Sequence, residues 1–284
     1  MTSFSAANRL RRIFGVKKAG HTGTLDPMAT GVLPVALGSA ARFIELIPNH
    51  DKGYVARFRL GVSTDTLDIT GTVTGTCPVH TSREQVQQSL GAFRGEILQV
   101  PPMYSAIKKD GVRLYDLARQ GIEVERESRR VSIYELEMRE FHGEENEYEV
   151  FVRCSKGTYI RSLIRDIGQA LECPAVMTSL RRVSAHGVEI AHCKTLAELE
   201  EMRDSGRLSE AVHSVDSLLG YEKIKVTGPQ AKRFANGGEL DLTRIGGRKK
   251  AGYYSVYSPE NRFLGVGEIT EDDPQLRVKK VYVE

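Results

Sequence analysis

Between residues 131 and 171 the hydrophobic period of the chain changes once, and that change restricts what the chain can fold into. Residues 131–141 and 148–154 alternate apolar and polar side chains on either side of a polar turn at 143–146, the pattern of a long antiparallel hairpin. After a break at Ser155-Lys156-Gly157-Thr158, residues 159–171 place Ile160, Leu163, Ile164, Ile167 and Leu171 at helical spacing. Elsewhere residues 54–60 alternate as a half-buried strand does, residues 83–93 read as a helix opened by Thr81 or Ser82, and residues 195–203 read as another helix. Strands and helices mix without regular βαβ alternation. The expectation is an α+β fold whose sheet is mixed and largely antiparallel, with flanking helices.

At 284 residues the chain is long enough to bury about 70–75% of its unfolded surface, so stability requires neither disulfides nor a metal. Its cysteines, Cys77, Cys154, Cys173 and Cys193, are scattered, with no C-x-x-C pair and no histidine at zinc-finger spacing. That pattern argues against a structural zinc site and a secreted disulfide scaffold, and no metal ligands are assigned. No apolar run approaches the length of about 18–20 residues that a membrane span requires. Residues 1–25 carry Arg9, Arg11, Arg12, Lys17 and Lys18 and no acidic residue, a composition similar to an organellar transit peptide. They run into the next motif without a cleavable spacer, so a cytoplasmic protein is expected.

A net charge of +3 is too small to establish nucleic-acid binding. Local clusters are more suggestive: Lys108-Lys109, Arg129-Arg130, Arg181-Arg182 and Arg248-Lys249-Lys250, each of which taken singly is more often a solvated face. Near the start, Phe4, Ala7, Leu10, Ile13 and Phe14 share one helical face, with Ser3 or Ser5 able to cap it and Gly15 to stop it. Residues 20–31 (GHTGTLDPMATG) are so dense in Gly, Thr, Asp and Pro that neither helix nor paired strand is expected to continue through them. After Leu219-Gly220 the texture changes to short strand-like runs at 223–226, 253–257, 263–267 and 279–283. Two domains are expected, 1–219 and a small β-rich 220–284.

Residues 20–38 (GHTGTLDPMATGVLPVALG) are similar to the catalytic loop of the TruB pseudouridine synthases. Residues 51–71 resemble that family's second motif, 99–121 its RNA-gripping insertion, which here extends to about residue 130, and 154–168 (CSKGTYIRSLIRDIG) its third motif. The LRR at 180–182 completes a set that runs in the family's order over residues 2–185. The resemblance implies conversion of uridine to pseudouridine at position 55 in the T-loop of tRNA, without a cofactor. It implies that Asp26 is the nucleophilic carboxylate and Arg161 its partner, that Tyr54 stacks on the flipped uracil, and that Tyr159 contacts the same base and removes the C5 proton. His21 would meet the disrupted T-loop, and Leu180 would line the uracil pocket through its backbone. Residues 226–238 and 266–269 resemble a PUA-type RNA-binding module in the C-terminal domain.

The residue types suit the chemistry. The reaction breaks the bond from C1′ to N1, rotates the freed uracil and rejoins it through C5, with no change of redox state. It needs a carboxylate able to attack or stabilise an electron-poor carbon. Burial beside a base pushes a carboxyl toward its neutral form, and a fixed guanidinium opposes this while orienting the oxygens. The target uridine must be flipped out, at a cost of a few kcal/mol, and aromatic surfaces replace its lost stacking. Basic and aromatic side chains between residues 99 and 130, among them Lys108, Lys109, Arg113, Arg119, Tyr104 and Tyr115, suit salt-sensitive RNA binding.

Two other readings fit the same motifs, a tRNA-folding chaperone with little catalysis and the catalytic subunit of a guide-RNA particle. The chain lacks long lysine-rich tails, so a stand-alone, monomeric enzyme of bacterial type with no obligatory protein partner is expected. In one respect the sequence departs from the family. An apolar strand ending in Asp-Lys-Pro-x-Gly usually precedes the Thr-Ser and first helix, whereas this sequence starts at Met1-Thr2-Ser3. Either the start lies upstream or the element is missing, in which case a strand edge would be exposed.

Overall fold

The computed structural model describes residues 1–246 and 249–283. Packing divides the chain into two compact units, neither of them one continuous stretch: Leu25–Val32 with His50–Cys193, and Met1–Thr24 with Leu33–Asn49 and Lys194–Glu284.

The first unit is built on a sheet of strands β1 (Lys52–Leu60), β2 (Gly95–Gln99), β3 (Arg129–Arg139), β4 (Glu147–Cys154) and β5 (Ala175–Ala185). Their order is β5-β1-β4-β3-β2, with Val188–Glu189 beyond β5 and Thr30–Gly31 also paired to β5. All the long pairings are antiparallel, whereas Thr30–Gly31 runs parallel to β5 and Asp68 makes an isolated parallel bridge to Met177. The hairpin expected from residues 131–154 is β3 and β4, and Asn146 adopts a positive φ of 61° in its turn.

Alternation along β1 sends Tyr54, Ala56, Phe58 and Leu60 into the core, where Val150, Val152 and Cys154 of β4 join them. The helix Ile160–Ala170 covers this face with Ile160, Leu163, Ile164 and Ile167. Full burial of such side chains contributes about 1.5–3 kcal/mol each. Ser82 opens a second helix, Arg83–Ser89, through a reciprocal capping box with Gln85, and the chain tightens to 3-10 geometry at Leu90–Phe93. The opposite face of the sheet is polar. Arg57 bonds its cross-strand partner Glu149 at 2.8 Å, and Arg153 bonds Glu135 at 2.7 Å. Exposed pairs of this kind contribute about 1 kcal/mol or less.

A bulge in β5 determines which of its residues face inward. Met177 pairs with Phe58 but Leu180 pairs with Ala56, so β5 advances three residues while β1 advances two. The extra residue returns Leu180 to the core face and places Arg182 opposite Tyr54.

In the second unit the helix Ser3–Ile13 is capped by Thr2, rather than by Ser3 or Ser5, because the Thr2 hydroxyl is the one that accepts the Ser5 N–H. Phe4 does not join the apolar face and is 72% exposed. Ile13 packs with Leu199 and Met202 of the helix Leu196–Asp204, and Arg9 holds Glu200 through two bonds of 2.8 Å. The C-terminal strands form a five-stranded sheet in which Glu222–Lys225 runs parallel to Gly252–Tyr257 and the rest are antiparallel. Residues 228–235, read only as part of a motif, form a helix opened by Thr227 with Pro in its first turn. Of the basic cluster 248–250, Arg248 lies outside the described residues.

Candidate active site

The glycine-rich stretch is not loop throughout: Ala19–His21 and Thr30–Gly31 are short strands, and the irregular backbone lies between them. The Ala29 N–H donates to the Asp26 carbonyl at 2.9 Å, turning the chain back under Asp26, while Met28 and Ala29 pack against the hydrophobic core. The far end of the turn lies along β5, with Thr30 beside Arg181 and Gly31 beside Arg182. Gly31 has φ of 105°, and a β-carbon there would sit 2.0 Å from the Arg182 carbonyl oxygen. Only glycine permits that approach.

Arg161 stands in the first turn of the Ile160–Ala170 helix and meets Asp26 edge to edge. Its Nε donates to Oδ2 and its Nη2 to Oδ1, each at 2.9 Å. Nη1 donates to the Thr66 carbonyl at 3.0 Å and Nη2 also to the Tyr104 carbonyl at 2.9 Å. The guanidinium is 5% exposed, while the Asp26 side chain is 29% exposed. The cation is thus buried and fixed, and its carboxylate partner keeps an open side.

Each anchor of Arg161 is itself tied down. Asp68 brings a second carboxylate oxygen to 3.9 Å from the Arg161 Nε. The other oxygen of Asp68 accepts from the Thr66 hydroxyl at 2.9 Å, the Thr70 N–H at 3.0 Å and the Thr70 hydroxyl at 2.5 Å. The loop that carries it is joined to β5 by Ile69 N–H to Met177 O and Met177 N–H to Leu67 O. On the Tyr104 side, the Ser162 hydroxyl donates to the Val100 carbonyl at 2.9 Å, and the buried Gln99 Oε1 accepts the Tyr159 N–H at 2.8 Å.

Tyr54 and Tyr159 both lie within reach of the Asp26 charge. Burial pushes the Tyr54 hydroxyl up to about 12, with Cys154 and Asp26 adding to the rise and the positive charge of Arg182 opposing it. Burial also raises Tyr159, the Asp26 charge again contributes to the rise, and the positive charges of Arg129 and Arg161 oppose it. Both phenols therefore keep their protons at neutral pH. Tyr54 is 8% exposed, and Leu180 is a buried core residue beside Ala56 on the neighbouring strand. Asp26, Arg161, Tyr54, Tyr159 and Leu180 lie within one compact unit, whereas His21 belongs to the other, on the Ala19–His21 strand opposite Val35. The sequence reading passed over Asp68, Gln99 and Arg182 as individual residues. All three lie within the matched motifs, but nothing in their local spacing marks them as neighbours of Arg161, Tyr159 or Tyr54.

Residues 11–160 match the TruB family pseudouridylate synthase (N terminal domain). Residues 161–220 match the tRNA pseudouridylate synthase B C-terminal domain, and 223–281 the pseudouridine synthase II TruB, C-terminal. The chain is 46% identical over 269 residues to tRNA pseudouridine synthase B of Dechloromonas aromatica, covering 94% of this chain and 87% of the relative. It is 40% identical over 286 residues to the protein of that name from Clostridium kluyveri, covering 100% and 96%. Among solved structures it superposes on a chain of a Cbf5-Nop10-Gar1 complex with a TM-score of 0.74 at 25% identity, covering 99% of this chain and 81% of that one. Fold and matches together define a pseudouridylate synthase. Within that class, the chain belongs to the TruB family.

Proposed function

We propose that this enzyme isomerises uridine to pseudouridine at position 55, in the T-loop of tRNA, with Asp26 as its nucleophile. The observation that carries the reading is the two-pronged Asp26–Arg161 pair, buried on the arginine side and open on the carboxylate side. A carboxylate oriented by a two-pronged guanidinium, with one side left open, is placed to meet an electron-poor carbon. The carboxylate attacks as the bond from C1′ to N1 breaks, the uracil turns while detached, the bond to the carboxylate breaks as one forms from C1′ to C5, and the C5 proton leaves as N1 gains one. Tyr159 receives the C5 proton. Because it already holds its own proton, it must pass that one on, and the nearby Asp26 carboxylate is suited to take it.

Tyr54 contacts the flipped base, His21 engages the opened T-loop, and the backbone of Leu180 lines the pocket. Residues 1–219 act as the catalytic domain, and 220–284 as a PUA-like RNA-binding domain. The basic hairpin Lys108–Lys109 and Val112–Arg113, with Arg113 and Arg119 over the Tyr115 ring, grips the T-arm. The enzyme acts in the cytoplasm as a monomer, without an obligatory protein partner. No helix among the described residues is long and apolar enough to cross a membrane.

The test is Asp26→Asn assayed on a bare T-arm stem-loop. Undiminished RNA binding with no product is expected, and pseudouridine formation by this variant would overturn the mechanism. Activity of the unsubstituted enzyme on that RNA, without any guide RNA, separates it from a guide-RNA particle and from a chaperone.

A further inference from the structure

We infer that Arg182 is a positioning residue for the reaction, acting on Asp26 through the backbone of the turn that carries it. Its own backbone and its side chain grip the same residue of that turn. The Val32 N–H donates to the Arg182 carbonyl at 2.8 Å, and the Arg182 Nε donates to the Val32 carbonyl at 2.7 Å. Arg182 is 1% exposed, an unusual degree of burial for an arginine, and Val32 is equally buried. The parallel pairing of Thr30 and Gly31 with Arg181 and Arg182 extends this attachment, and the bare α-carbon of Gly31 allows it to close.

Asp26 is therefore held at two points. Arg161 holds its carboxylate from the helix side, and Arg182 holds the backbone a few residues later from the strand side. Arg182 also sits opposite Tyr54 in the strand pairing, so the residue that grips the turn is the cross-strand neighbour of that tyrosine. The bulge between Met177 and Ser179 is what brings Arg182 to this face. A side chain that acts through the backbone of the turn can govern turnover, because small displacements of a reacting group are amplified in the rate.

The inference rests on Asp26 as the reacting carboxylate, and the experiment keeps the two separable. Arg182→Met retains the bulk of the stem and removes the donors. Gly31→Ala attacks the same attachment from the solvent-exposed side of the turn, where a β-carbon forces the chain away from β5 without opening the core. Single-turnover rate at saturating T-arm RNA, RNA dissociation constant and thermal midpoint are measured for both, with Asp26→Asn alongside. The expected result is a rate lower by about a hundredfold in both variants with RNA affinity retained, and partial recovery in Arg182→Lys, whose ammonium still reaches the Val32 carbonyl. If Arg182→Met does not fold, Gly31→Ala decides. Full turnover by folded Arg182→Met or by Gly31→Ala, with Asp26→Asn inactive, overturns the positioning role alone. Product from Asp26→Asn overturns the reading beneath it.

Discussion

Asp26 and Arg161 lie 135 residues apart in sequence and share two hydrogen bonds of 2.9 Å each. Two more of its N–H donors go to the carbonyls of Thr66 and Tyr104, so four acceptors from three separate segments converge on one side chain. A lysine keeps the charge but cannot reproduce a planar fork. Arg161→Lys is therefore expected to retain RNA binding and to lose single-turnover rate by about a hundredfold. An unchanged rate would show that charge alone, without the two-point geometry, suffices.

Asp68 tests the electrostatics more finely. Its Oδ1 accepts from Thr66 and Thr70, while its Oδ2 faces Arg161 at 3.9 Å. In Asp68→Asn the amide oxygen keeps the threonine bonds, which directs the NH2 toward the guanidinium, donor against donor. The variant is expected to fold, to lose about 1–2 kcal/mol of stability and to turn over at least about tenfold more slowly. Urea denaturation and single-turnover kinetics measure the two effects. Wild-type values for both would mean that the Asp68 charge is not felt at Arg161.

Gln99 supports the site from below. Its Oε1 accepts the N–H of Tyr159, the residue that leads into the Arg161 helix and has no side-chain cap of its own. Gln99→Leu leaves that N–H without its acceptor in a buried place, a loss of about 1–3 kcal/mol. The urea midpoint should fall by the corresponding amount with an unaltered m-value, and a midpoint equal to wild type would show that the backbone finds another acceptor.

Much of the architecture was legible because it is local. The hairpin of β3 and β4, the Ile160–Ala170 helix and the Leu196–Asp204 helix lie within a residue or two of where periodicity placed them. Thr195 and Ser82 cap their helices through boxes that sequence spacing alone can suggest. The readings that failed were those in which a distant partner outweighed a local preference. Thr30 and Gly31 look like loop and become a strand because β5 offers a free backbone edge. Phe4 has the spacing of a core residue and remains exposed.

From the order of its residues alone, this chain set its fold class and the motif that carries the proposed nucleophile, because periodicity, caps and glycine-bounded turns depend on near neighbours. Only the folded chain decided which side chains meet that nucleophile. One bulge between Met177 and Ser179 turns Leu180 and Arg182 inward, and the paths of three segments bring Asp26, Asp68 and the Tyr104 carbonyl around Arg161. Strand register and long-range hydrogen bonds are properties of pairs of segments, and a single segment read by itself does not contain its partner.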